Sequence, residues 1–110
     1  MKKPIIYIAG PMTGLTSLNL NSFNLAADYL ISQGYEVRNP ACLGGGWADY
    51  EHYMEVVLVM LSQCQMITLL PGSDKSPGAK REACRAYELG HVSDSMMLDE
   101  IWPALEAMYK

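Results

Sequence analysis

Apolar positions along this chain change period several times, and each change marks an element. Ile5–Ala9 is β-branched and nearly continuous, and Gly10-Pro11 closes it, which predicts a strand buried on both faces. Residues 10–19 hold two Gly, one Pro and several hydroxyl or amide side chains, so an irregular loop leaves the strand's carboxyl end. Phe23, Ala26, Ala27, Leu30 and Ile31 then recur at spacings of three and four, predicting an amphipathic helix capped by Asn21 and stopped by Gly34. Residues 35–38 read as a short second strand, and Asn39-Pro40 and Gly44-Gly45-Gly46 break regular structure after it. Over residues 49–64 the stripe Tyr53, Met54, Val57, Leu58, Met60 and Leu61 predicts a second helix with an acidic first turn. Residues 66–70 form a third apolar run ended by Pro71-Gly72. Ser76-Pro77 is a cap followed by proline at the first helical position, opening a third helix that runs to about Leu89 and stops at Gly90. Residues 92–98 hold a fourth strand, and residues 99–109 read as a helix in which Pro103 removes one early hydrogen bond.

Strands alternating with helices imply parallel strands joined by right-handed crossovers. The predicted fold class is therefore α/β, a flavodoxin/Rossmann-like three-layer sandwich with a small parallel β-sheet. With 110 residues the chain is read as one domain, residues 1–110, and a core of this size leaves a modest stability margin that self-association would widen into a homodimer or higher homo-oligomer. Half the residues are hydrophobic and 18% are charged, which suits a folded rather than a disordered chain. A net charge of −4 with scattered Lys and Arg argues against a nucleic acid polymer as partner. Cys42, Cys64 and Cys84 are odd in number and widely spaced, indicating neither a disulfide framework nor a zinc site, and a cytoplasmic location fits them. Lys2 and Lys3 precede an apolar stretch of only Ile5–Ala9, too short for a secretory core or a membrane span.

In an open parallel sheet, ligands bind outside the carboxyl ends of the strands, so the residues just after each strand are the candidates. Gly10, Pro11, Met12, Thr13 and Gly14 form a turn that is either a plain tight turn or a backbone cradle for an anion; it lacks the Lys of a Walker loop and the spacing of a dinucleotide fingerprint. Asn39 follows the second strand. Trp47, after the triple glycine, is a lid for a base or a plug over the sheet edge. Ser76 caps the third helix with the same oxygen that a ligand would use, and Gly78 lets a ligand approach the backbone. Glu82, further inward on that helix, is either a surface acid paired with Lys80, Arg81 or Arg85, or a carboxylate facing the pocket. Tyr7, on the first strand, is otherwise a core aromatic with a satisfied hydroxyl. His52 and His91 are isolated and the eight Met residues serve packing, so no metal is expected.

Several blocks carry a resemblance: Tyr7-Ile8-Ala9-Gly10-Pro11-Met12-Thr13-Gly14, Gly34-Tyr35-Glu36-Val37-Arg38-Asn39-Pro40, Tyr53-Met54, Leu69-Leu70-Pro71-Gly72, and Ser76-x-Gly78-x-x-x-Glu82. In this order they resemble the nucleoside 2-deoxyribosyltransferase-like superfamily, most closely its short DUF4406 branch, common in phages and prophages. The resemblance implies a pocket for a nucleoside or nucleoside monophosphate, with no cofactor. It further implies that Glu82 attacks the anomeric carbon to form a glycosyl ester, that Tyr7 orients Glu82, and that Ser76 holds the 5′ hydroxyl or phosphate. The role requires Glu82 to be ionised at neutral pH, with the nearby helix N-terminus favouring that state. This chain departs from its relatives at Val57, where they carry an Asp that assists the leaving base, at Gln65, where many carry Asp, and at Ser73, where Trp is expected. Asp49, Glu51 and Glu55, or Asp99 and Glu100 of a second copy, are the acids available to replace the one missing at Val57. The expected function is a deoxyribonucleoside 5′-monophosphate N-glycosidase or deoxyribosyltransferase, in the host cytoplasm if the gene is a phage's. The alternative is a nucleotide-binding protein that has kept the pocket and lost the chemistry.

Overall fold

The computed structural model describes residues 3–10, 19–40, 50–89, 94–98 and 101–108. Its strands are β1 (Ile5–Ala9), β2 (Glu36–Arg38), β3 (Met66–Leu69) and β4 (Asp94–Met97); its helices are α1 (Leu20–Ser32), α2 (Tyr50–Ser62), α3 (Pro77–Leu89) and α4 (Trp102–Met108). The sheet order is β2-β1-β3-β4, and all three pairings are parallel. This is the strand order of a flavodoxin-like sheet, whose direction of winding reverses between β1 and β3. Successive side chains of β1 point to opposite layers, which is why its apolar run is unbroken. Ile6 and Ile8 pack with Phe23, Ala26, Ala27 and Leu30 of α1 and with Leu98, while Tyr7 and Ala9 pack with Met54, Val57 and Leu61 of α2, Ile67 of β3 and Ala79 of α3. The three layers of the predicted sandwich follow from that alternation.

The predicted elements are present, with shifts at their ends. Helix α1 starts one residue before the predicted cap. Asn19 precedes it in the left-handed conformation (φ 63°) without a side-chain cap, and Asn21 lies exposed in the first turn. Ile31, counted on the buried stripe, is 58% exposed, because Phe23, Ala26, Ala27 and Leu30 already fill the face turned to the sheet. The predicted stop at Gly34 closes as a Schellman turn: Tyr35 N donates to Leu30 O (3.1 Å) and Gly34 N to Ile31 O (2.9 Å), with Gly34 at φ +91°. Strand β4 pairs with β3 from Met66↔Asp94 to Leu69↔Met97. Pro103 falls at the second position of α4, among the N–H groups that have no partner within a helix, so its missing donor costs nothing there. The 3₁₀ turn Ser73–Lys75 between β3 and α3 was not predicted.

Candidate functional site

The reversal point between β1 and β3 is pinched. A Cβ on Gly10 would lie 2.7–2.9 Å from Leu70 side-chain atoms, and Leu70 N donates to Ala9 O at 2.9 Å. Ser73, buried in the 3₁₀ turn, donates its Oγ hydrogen to Leu70 O (2.6 Å) and approaches Ala9 O (3.5 Å). Ser73 thus ties the carboxyl ends of β1 and β3 together. Immediately after it, Ser76 caps α3 as predicted: its Oγ accepts from Ala79 N at 3.2 Å, and Pro77 occupies the first helical position. Ser76→Ala is expected to cost about 1 kcal/mol of stability, measured by urea unfolding, whereas Ser76→Asp retains the cap.

On the second turn of α3, Glu82 points inward with Ala79. It is 6% exposed and is the buried ionisable acid among the described residues. Tyr7, fully buried in the middle layer, faces it. The phenol and the carboxyl each perturb the other's titration, although neither the Tyr7 hydroxyl nor Glu82 Oε2 has a partner within hydrogen-bond geometry. The Glu82 carboxyl is thus the polar group that the Tyr7 hydroxyl faces. Burial pushes the Glu82 carboxyl up to about 7, and the tyrosine hydroxyl pulls it down by less. This alters the expected protonation state: loss of hydration favours the protonated carboxyl well above the usual carboxylate range. The Tyr7 hydroxyl rises well above its ordinary value, first through burial and then through the Glu82 charge, so it remains a neutral donor.

The surface-acid reading of Glu82 is not what the structure contains. The arginines of α3 are engaged elsewhere and Lys80 is exposed: Arg81 grips Glu51 at the start of α2 through two bonds of 2.9 and 3.0 Å, and Arg85 lies 3.5 Å from Glu88. That grip holds the Glu51 carboxyl below its ordinary range, keeping it an ionised clamp between α2 and α3 rather than a proton donor for a leaving base. Glu55 is exposed. Val57 is fully buried in the same cluster as Tyr7, so the side chain at this position is packing material of that layer. Gln65 lies at the opposite end of the sheet, where its Oε1 accepts from Ile5 N at 2.8 Å, so this side chain bears on strand anchoring rather than on the site.

Gly10, Ser76 and Gly78 lie at the carboxyl end of β1 and the opening of α3, the end of the sheet toward which the reversal point opens. Asn39 lies at the same end after β2, but its amide donates to Asn24 on α1 at 3.2 Å, on the other side of the sheet from Glu82. Pro11, Met12, Thr13, Gly14 and Trp47 lie outside the described residues, as do Asp49, His91, Asp99 and Glu100. Among the described residues no group of three or more His, Cys, Asp or Glu could hold a metal ion, and no helix is long and apolar enough to cross a membrane. The residues that sequence reasoning missed are Ser73 and the Arg81–Glu51 clamp. The first sits in an unpredicted turn, and the second joins residues thirty positions apart that carry no local pattern.

A search of curated proteins found no match to the chain. A family model, DUF4406, described as a domain of unknown function, matches residues 4–93, which include β1, β2 and β3 but stop just before β4, and carry Tyr7, Ser76 and Glu82. The chain belongs to the DUF4406 family.

Proposed function

We propose that this chain is an N-glycosidase or deoxyribosyltransferase for deoxyribonucleoside 5′-monophosphates, with Glu82 as the nucleophile. The observation that carries the reading is a carboxyl group 6% exposed, with an unpartnered oxygen, set beside a neutral buried tyrosine on the helix that opens at the sheet's reversal point. A fold does not retain an unpaired buried carboxyl for stability, since burial of the charged form is unfavourable. The resemblance to nucleoside 2-deoxyribosyltransferases supplies the chemistry that fits it. The Glu82 carboxylate attacks C1′, the C1′–N bond breaks, and water or a second base resolves the glycosyl ester. Tyr7 orients and hydrogen-bonds the carboxylate as substrate draws it into line. The 5′-phosphate lies at the N-terminus of α3 with Ser76 and the Gly10 loop, where the positive end of the helix dipole favours an anion. From Ser76 to Glu82 the helix rises ~9 Å, enough to separate a phosphate site from the reacting carbon. The small size of the chain favours hydrolysis over transfer by analogy with short relatives. Assembly into homo-oligomers and a cytoplasmic setting, the host's if a phage encodes the chain, complete the proposal.

The test is chromatography of deoxyribonucleosides and their 5′-monophosphates after incubation with wild type and with Glu82→Ala. Free base from the wild type alone supports the reading and names the substrate. The Ser76→Asp variant then asks where the phosphate sits: its carboxylate keeps the helix cap but repels a phosphate, so KM for the 5′-monophosphates is expected to rise at least tenfold while that for nucleosides stays within about threefold. If the wild type releases no base, yet the same compounds raise its melting temperature, the chain binds nucleotides without cleaving them, and apolar Val57 is the reason.

A further inference from the structure

The charge around Glu82 says more about the base than the fold does. Glu82 is the charged side chain among the buried described residues, and its Oε2 has no hydrogen-bond partner. Tyr7, which faces it, belongs to an apolar cluster with Met54, Val57, Leu61 and Ile67. The basic residues of α3 are engaged or exposed, Arg81 on Glu51, Arg85 beside Glu88 and Lys80 at the surface, and Arg38, beside Tyr7 on β2, donates to Gln63 Oε1 at 3.1 Å and lies 3.7 Å from Glu36. A carboxylate held in an apolar layer without a counter-charge is completed by a cation brought with the ligand.

Resting on the glycosidase reading above, we infer that the preferred substrates are N-glycosides of heteroaromatic bases already positively charged, such as pyridinium or N-alkylated purinium nucleotides, whose cationic ring complements the uncompensated Glu82 carboxylate. The chemistry balances without an acid at position 57. As the Glu82 oxygen bonds to C1′, the C1′–N bond breaks with both electrons going to the ring nitrogen. The positive ring becomes a neutral free base, and the carboxylate becomes a neutral ester. Water then adds at C1′, the carboxylate departs, and one proton passes to solvent. A neutral purine or pyrimidine would instead leave as an anion unless protonated, and neither Val57 nor the ionised Glu51 clamp supplies that proton.

The experiment uses the full chain at pH 8, with nicotinamide mononucleotide and its reduced dihydropyridine form as probes. The two share the phosphate and the sugar and differ in the ring's charge. Calorimetry on wild type is expected to give at least tenfold tighter binding of the oxidised, cationic form. In Glu82→Gln, shown to be folded by circular dichroism, that ratio is expected to fall to about one. Equal affinities in the wild type, or a preference that survives in Glu82→Gln, overturn the inference. Product analysis separates this failure from failure of the glycosidase reading. Glu82-dependent release of base from neutral deoxyribonucleotides as fast as nicotinamide release overturns the cationic preference and leaves the glycosidase standing. A Glu82-dependent charge preference with no cleavage of any probe supports the cation site and overturns the glycosidase.

Discussion

Glu82→Gln is expected to abolish base release and, at the same time, to make the protein more stable above neutral pH. The loss of rate follows from the role: an amide is a poor nucleophile and carries no charge to stabilise the developing cation at C1′, so a fall of at least ~10³ in kcat/KM is expected. The gain in stability follows from burial. Folding raises the Glu82 carboxyl from its ordinary 4.5 to about 7, so between those values the folded chain binds a proton that the unfolded chain has released. The stabilisation contributed by the protonated carboxyl is present in full below pH 4.5 and is lost as pH rises through 7. Above that the wild type holds a buried charge at a cost on the order of 3–4 kcal/mol, taking about 1.4 kcal/mol per pH unit of the shift. Glutamine, close in shape and always neutral, escapes that cost. Urea unfolding of both proteins at pH 5 and pH 8 checks it, with near-equal stabilities expected at pH 5 and an advantage for the variant at pH 8. The wild type's kcat/KM is expected to rise with pH through about 7, as the attacking carboxylate forms, and then to level off. A variant that lost activity together with stability at pH 8 would show Glu82 to be a structural residue.

What was legible in the sequence was whatever depends on short-range period and on chain stops. The unbroken apolar run of β1 gave away a strand covered on both faces. Ser76-Pro77 marked the start of α3 because the cap and the fixed proline φ act within one turn, and the observed bond from Ala79 N to Ser76 Oγ is that local device. Gly34 marked the end of α1 for the same reason. Errors arose where a tertiary contact decides. Ile31 has the helical spacing of a core residue, but the groove between α1 and the sheet is filled by its neighbours. Asn19, rather than Asn21, turns the chain into α1, a choice made by a left-handed backbone that the pattern of side chains does not encode. At the site, the sequence singled out Glu82 and Tyr7 but set the carboxyl's charge by its helix. The depth of the surrounding layer, which comes from α2 more than twenty residues away, raises the carboxyl. Likewise Glu51 carried the same weight as Glu55 among candidate acids until the Arg81 clamp separated them.

Gly10→Ala is expected to destabilise the protein by about 1–3 kcal/mol, the range for overfilling a packed interior. Gly10 was singled out in the sequence as part of an anion cradle, yet its lack of a side chain has a packing cause. The three closest atoms to an added Cβ are Leu70 Cδ1, Cβ and Cγ at 2.7, 2.8 and 2.9 Å, and no L side chain fits there without movement. Leu70 has little room to give. It is fully buried in the layer shared with Ile8 and Leu98, and its N–H is held by Ala9 O across the reversal point. The offending Cβ of Leu70 moves only with the backbone, so relief requires β1 and β3 to part at their carboxyl ends, where Ser73 holds them. A double-mutant cycle isolates the clash. Leu70→Ala alone is expected to cost about 2–5 kcal/mol, and less than that in the Gly10→Ala background, since it removes Cδ1 and Cγ from the overfilled space; a coupling above ~0.5 kcal/mol is the sign. If Gly10→Ala unfolds at the wild-type urea midpoint but binds 5′-monophosphates more weakly, the glycine is kept for the approach of ligand instead. Loss of stability with nucleotide affinity unchanged in the folded fraction assigns it to the strand junction, and the anion would then be held by the N-terminus of α3 without help from this backbone position.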